Sequence, residues 1–461
     1  MKKFTVTALL LVLPLIPEAR KAAQSEISLL RTVTGVREFK NFQINPDRYV
    51  LSQMPERPWA PVIYDIAEDK KLQLPEISSM EGIPREPALP LGKERRYKMS
   101  ELILKGEYFR WQAKQVVSFD GKTAGIMLVK EAVKKTTDGP PACPKCGNSA
   151  RLLEQYHRYY CDACRSYVDE KDYTATFYEP LFAAYDLASG LVSWTAPLEI
   201  DLSNPMEQGG IEPLGYDHEG GYFYYSNRVF MYKNPRSSGQ ILIYRFNVNS
   251  RRVDWKYRVE APVRHKGKTA GSYSMHYFAS HDMKTIVFWE YDESYGVGTA
   301  KGWLNDPPAR GYIVNTAARS HKEIPVMVTP YGHTVSRDNA YVAMGSNQLG
   351  SVELFESSSG KLVKKVNAGK AIYHIQQSPD GKKLYVFNRY AVEVYSFPDL
   401  KKIKTLPLTA VFPGITKLLV SEKVLSLDEG RHFVMGVMKK TSSGHWSSDL
   451  EGGFQVYRVG D

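Results

Sequence analysis

Along most of the chain, apolar and polar positions alternate with a period of two, in short runs that break at Ser, Asp, Asn, Gly and Pro. Two stretches show the rhythm most clearly. "TVSRDNAYVAMGSNQLGSVELFESSSGKLVKKVNA" (334–368) and "IQQSPDGKKLYVFNRYAVEVYSFPDLKKIKTLPL" (375–408) each begin with a strand and a polar turn, S-R-D-N or S-P-D-G. An alternating strand follows, then a third ending in an aromatic, a turn rich in Ser, Gly, Asp and Lys, and a fourth strand. Asp and Asn suit such turns because they tolerate left-handed geometry and bond their own backbone, and Gly supplies positive φ. The same grammar recurs at 42–73, at 116–131 with 181–198, at 215–259, at 278–326 and at 425–459. The pair 116–131 and 181–198 is split by a long insertion.

Seven units of four short strands predict an all-β chain, a seven-bladed β-propeller over residues 24–461, because a single blade cannot bury both faces and neighbours must stack around an axis. A pair of irregular β-sandwiches is the alternative. Long helical periodicity is nearly absent, which argues against an α/β fold. The 461 residues exceed one ordinary core, and the many Tyr, Thr and Val positions suit half-buried strands. "AYDLASGLVSW" (184–194) resembles the docking motif of quinoprotein (PQQ-like) propellers, with Ala184, Asp186, Gly190 and Trp194 at its positions. "SPDGKKLYV" (378–386) resembles YVTN-type and WD-type repeats. "FNVNSRRVDW" (246–255) keeps Trp255 but has Arg251 where the motif has glycine. The resemblance implies a fold over most of the chain rather than an activity.

The insertion changes the chemistry. "CPKCGNSARLLEQYHRYYCDAC" holds every cysteine, Cys143, Cys146, Cys161 and Cys164, as two C-x-x-C pairs around a spacer that fits a short hairpin. Two such turns can each offer two thiolates to one ion, and the pattern resembles the knuckles of a zinc ribbon, predicted here over residues 140–172 within the second blade. The cofactor expected is structural Zn, since four thiolates leave no coordination position open. Two disulfides, or a redox or iron site, are the other readings. Neither pair continues as C-x-x-C-H, which argues against attached haem.

The N-terminus adds a compartment. Lys2 and Lys3 precede a short apolar run, too short to span a bilayer as a helix, and polar sequence follows. Residues 1–23 read as a signal peptide, with a short apolar helix or uncleaved anchor as the alternative. The expected location is periplasmic or extracellular, and no span is expected after cleavage. The net charge of +11 is scattered, with short clusters at "GKERRYK" and "RHKGK". Weak attraction to anionic surfaces follows, not specific nucleic-acid recognition.

No nucleophile elbow, phosphate loop, H-E-x-x-H or paired-carboxylate motif is present. Three histidines sit near blade starts: His276 and His374 four residues before Ser280 and Ser378, and His333 three before Ser336. On innermost strands they are candidates for a channel metal or acid–base site, although packing histidines fit equally. The offset puts His333 on the opposite face unless a bulge intervenes. Two function classes follow. One is an exported binding or scaffold protein for a protein or surface ligand. The alternative is a propeller enzyme, a metal-dependent lyase, hydrolase or dehydrogenase centred on the channel.

Overall fold

The structure is a computed structural model. It describes residues 26–36, 49–53, 61–73, 83–118 save 93, 122–200 save 187, 208–229 save 218 and 220, 238–262, 273–292, 309–326, 330–346, 349–418 save 370, 413 and 414, 424–427, 430–440, 446–448 and 452–460. Residues 1–23, the first strand of the unit at 42–73 and the cluster "RHKGK" lie outside them.

The fold is all-β and propeller-like. Antiparallel sheets follow one another along the chain, each a meander whose strand order is the sequence order. Sheet A holds Tyr49–Gln53, Pro61–Asp65 and Lys70–Gln73; sheet B holds Phe109–Ser118, Thr123–Lys135, Thr174–Asp186 and Val192–Pro197. Sheet C holds Gln208–Asp217, Tyr222–Val229, Ser238–Asn247 and Arg252–Pro262; sheet D holds Tyr273–Ala279, Thr285–Asp292, Ala309–Asn315 and Ser320–Val326. Sheet E holds Pro330–Val335, Tyr341–Ser346, Ser351–Glu356 and Leu362–Asn367; sheet F holds Ile372–Gln377, Lys383–Asn388, Ala391–Ser396 and Lys402–Pro407.

Sheet G departs from the rule. Its order is Val424–Leu427, His432–Gly436, Phe454–Val459 and then Ile27–Val33, so its outer strand comes from the other end of the chain. The sequence units end this sheet at 459 and do not mark the strand "ISLLRTV".

Adjacent sheets share cores in a cycle. One buried cluster joins G, A and B; others join B to C, C to D, D to E, E to F, and F back to G. Side chains alternate between the two faces of a strand, and here both faces are covered. Thus Phe223 and Tyr225 enter the B–C core while Tyr224 enters the C–D core. Double burial explains strands such as Tyr341–Ser346, in which successive residues are buried without alternation. First strands of neighbouring sheets from B to G touch one another, so they face the axis. The E–F approach is tight enough that a Cβ on Gly345 would lie 2.7 Å from Ile372 Cγ2.

The meander separates two ends. Turns joining first to second and third to fourth strands lie at one end. The second-to-third connections and the crossings between sheets lie at the other. The first end is built of short, self-bonded turns. Ser378 Oγ donates to Asp380 at 2.6 Å and accepts from Lys383 N at 2.9 Å, and Ser336 and Ser280 repeat the arrangement with Asp338 and Asp282. The opposite end carries helix α1 (Glu94–Lys105), the insertion between the second and third strands of sheet B, and a hairpin of Met438–Lys440 with Trp446–Ser448. Helix α1 is absent from the sequence reading. Half of its "ERRYKMSELILK" is charged, and only Ser100, Leu102 and Ile103 are buried.

Candidate functional site: a four-cysteine centre

The middle strands of sheet B are both long and pair without interruption from Thr123↔Asp186 to Lys135↔Thr174. They form a ribbon that carries the insertion on its tip. There Arg151–Leu153, Arg158–Cys161 and Ser166–Tyr167 make a small sheet, and the first two strands are the hairpin expected from the cysteine spacer. Its apolar core is small: Ala150, Tyr159, Val168 and Tyr173, with Leu104 of α1 against them. Tyr159 and Tyr173 meet edge to face at 5.0 Å.

Each cysteine pair sits in a tight turn. In the first, Gly147 N donates to Cys143 O at 2.8 Å and Cys143 N donates to Asn148 O at 2.8 Å. Gly147 takes φ 77°, which costs glycine nothing and turns the chain beneath the sulfurs. The second has Arg165 at the same place with φ 50°, and Cys164 N donates to Cys161 Sγ at 3.5 Å.

All four sulfurs lie within 4.8 Å of one another. Cys146 and Cys161 approach to 3.5 Å, and Cys143 and Cys164 to 3.8 Å. A disulfide needs about 2.05 Å, and all four cysteines are free. A tetrahedron with zinc–sulfur bonds of about 2.3 Å has edges of about 3.8 Å. The donor set therefore fits a tetrahedral divalent ion. The backbone at Lys145 draws the Cys143 thiol down to about 7. Hydrogen bonding from Cys146, then burial, pushes Cys164 up to about 12. Crowded thiols resist collective ionisation, and a cation among them removes that penalty. Among the described residues this is the sole cluster of three or more His, Cys, Asp or Glu side chains placed to hold a metal.

Of the candidate histidines, His333 and His374 turn to different sheets. His333 stacks on Phe278 at 4.1 Å and meets Trp289 edge to face, so it packs toward sheet D. His374 meets Phe433 of sheet G and contacts Ser426 there. Both first strands carry a register shift, yet the two rings still turn to opposite neighbours. His276 pairs with Trp289 in the ladder, and its side chain is outside the described ones.

A feature that sequence reasoning missed is Ser426, exposed on the first strand of sheet G, 3.4 Å from His374 Nε2. Two long-range positions made the pair invisible in the sequence. It is not a nucleophile–base pair. Gln376 donates its amide to Gly430 O, which turns its Oε1 toward His374 Nε2 at 3.1 Å and Ser426 Oγ at 3.1 Å. That oxygen only accepts, so His374 Nε2 carries the proton. Burial holds the imidazole down at about 4, hence neutral.

The turn of residues 184–194 also has a physical form. Asp186 Oδ1 accepts from Ala188 N and Ser189 N, Gly190 takes φ 71°, and Trp194 stacks on Phe182. Arg251, at the glycine position of sheet C, takes φ 54° and lays its guanidinium 4.7 Å from the Trp194 ring centre. Arg319 repeats this over Trp255, and Asp69 pairs with Arg31 of sheet G at 3.2 Å. Each reaches back to the outer strand of the preceding sheet.

No protein family and no curated protein matches the chain. Among solved structures it is similar to a chain of the "Crystal Structure of Mitotic Checkpoint Complex", at 10% identity and TM-score 0.44, covering 94% of this chain and 95% of that one. It is also similar to the "Structure of Dos1 propeller", at 11% identity and TM-score 0.45, covering 92% and 95%. Likeness at this level carries nothing about the site.

Proposed function

We propose that the chain is a seven-bladed propeller, sheets A to G being the blades, that works as an exported binding or scaffold protein. In this reading residues 140–172 are a zinc ribbon in the second blade, folded by structural zinc on Cys143, Cys146, Cys161 and Cys164. The carrying observation is the inequality of the two ends. One is trimmed to short bonded turns. The other gathers the insertion, α1 and the hairpin at 438–448, which is where a partner has surface to meet.

The sulfur spacing supports zinc, and a closed four-thiolate site supports a structural role, because no position is left for substrate. The packing of half-buried His333 and buried His374 toward different sheets supports binding over channel chemistry. The partner expected is a protein or a surface ligand. Among the described residues no helix is long and apolar enough to cross a membrane. The basic and apolar start of the chain supports export to the periplasm or exterior.

The test is elemental analysis of the purified full-length chain. One tightly held zinc per chain is expected, with no second metal, and Cys143→Ser should lose it. Two disulfides and no metal would overturn the zinc ribbon. A second resident metal would favour a channel enzyme over a scaffold.

A further inference from the structure

We propose that Cys146 is an oxidation site, the thiolate through which a hydroperoxide opens the centre, releases its zinc and links Cys146 to Cys161. This rests on the zinc reading above and adds a regulatory chemistry to it.

Exposure singles out the entry point. Cys143 and Cys161 are 3% and 0% exposed, and Cys164 is partly covered. Cys146 alone of the four is exposed. A metal-bound thiolate keeps enough electron density to attack an electrophile that reaches it, and reach is what the other three lack.

Contact selects the second sulfur. Cys146 makes its sulfur–sulfur contact with Cys161, at 3.5 Å, while Cys143 faces Cys164 at 3.8 Å. The link therefore crosses from one turn to the other. In the first step the Cys146 thiolate attacks one peroxide oxygen; the S–O bond forms, the O–O bond breaks, and hydroxide leaves to take up a proton. In the second, the Cys161 thiolate attacks the Cys146 sulfenic sulfur, the S–S bond forms, and the S–O bond breaks with loss of a second water after protonation. Two thiolates give two electrons to the peroxide. Zinc stays divalent and departs, because only Cys143 and Cys164 remain to hold it.

The consequence is confined to the insertion. Cys161 ends the strand whose Tyr159 belongs to the small core, and that core shares no residue with the cores of sheets A to G. Oxidation thus reshapes the surface on the ribbon tip, including exposed Tyr156 and Tyr167, and leaves the ring in place.

The experiment uses the full-length zinc-loaded chain. Limiting iodoacetamide followed by peptide mapping should label Cys146 at least about tenfold faster than the other three, since reactivity follows thiolate access. Hydrogen peroxide should release one zinc per chain, read with a zinc-binding dye, and the product should map as Cys146 linked to Cys161. Cys146→His offers zinc an imidazole in place of the reactive sulfur; it should hold zinc and release it at least about tenfold more slowly under peroxide. Even labelling of the four cysteines overturns the proposal while zinc remains bound. So does a Cys143–Cys164 or Cys143–Cys146 product, or unchanged release from Cys146→His. If Cys146→His does not load zinc, the wild-type map alone decides. Absence of zinc from the untreated chain overturns the zinc reading, and this proposal with it.

Discussion

The insertion and the junction of sheets F and G solve the same problem with different means. The F–G junction buries Tyr373, Tyr385, Phe387, Phe412, Phe433 and Tyr457, among others, with Phe433 and Tyr457 stacked at 4.8 Å. The insertion buries Ala150, Tyr159, Val168 and Tyr173. A fully buried large apolar side chain contributes about 1.5–3 kcal/mol. A core of four, one of them alanine, is too small to order its own loops, whereas the junction has side chains to spare. The ring is held by many replaceable contacts, and the insertion, on the zinc reading proposed above, by one centre of four cysteines.

The largest expected effect breaks the insertion alone. Stripping the metal with a strong chelator, or replacing Cys143 by Ser, should make the segment 140–172 the first point of cleavage in limited proteolysis. Structural zinc is worth on the order of 10 kcal/mol in small domains, all of it folding free energy. The ring should keep its cooperative thermal transition within a few degrees, because no ring core includes an insertion residue. Simultaneous loss of both would mean that the ribbon tip helps to hold sheet B, and the comparison would fail.

A smaller effect is expected at ring closure. Glu26 enters sheet F from the N-terminal strand, where its carboxylate accepts from Tyr385 OH and pairs with Lys404 at 2.6 Å and Lys383 at 3.4 Å. Burial raises its pKa, and the Lys404 and Tyr385 hydrogen bonds outweigh that, so the net value is lowered. A lowered folded-state value contributes stability above the unfolded carboxylate range and loses it as pH falls through the folded value. Glu26→Gln should therefore cost about 1 kcal/mol at neutral pH, since both lysines can turn to water. The difference from wild type should shrink on acidification, measured by urea unfolding at several pH values. A penalty that stays constant or grows in acid would show that the charge is not what Glu26 contributes.

The same division explains how much of the molecule was legible in the sequence. Ser378 with Asp380, and Asp186 with Gly190, specify their turns through bonds spanning a few residues, so the repeat could be read locally. The four cysteines were equally legible, because the centre lies within one short span. What stayed hidden depends on distant partners. Ile27–Val33 pairs with Phe454–Val459 at the far end of the chain, and no turn connects them to announce it. That His333 and His374 face opposite ways follows from their one-residue offset, which equal shifts in both strands preserve, but the aromatic each meets belongs to a neighbouring sheet and could not be read locally. Helix α1 has too few apolar positions to stand out and is placed where it packs against the insertion and the ribbon.

The smallest effect is the most discriminating, and it lies at Arg251. Its sequence position calls for glycine, and its backbone takes the positive φ of 54° that glycine would adopt freely. A non-glycine residue there carries a penalty of roughly 1 kcal/mol. The guanidinium over Trp194 at 4.7 Å returns about 0.5–1 kcal/mol at an exposed site. Arg251→Ala keeps the strain and loses the contact, so it should destabilise by about 0.5–1 kcal/mol. Arg251→Gly loses the contact and also the strain, so its unfolding midpoint should stay near that of wild type. The pair of variants separates two terms that nearly cancel, and denaturant unfolding of each, side by side, reads the difference. If both fall equally, the strain is not stored at this turn. If neither moves, the arginine is a passenger and Trp194 is held by Phe182 and the rest of the B–C core. The expected split would place the ring opposite the insertion once more: a departure from the repeat pattern is absorbed at one junction by one side chain, with no metal and no consequence beyond the two sheets that meet there.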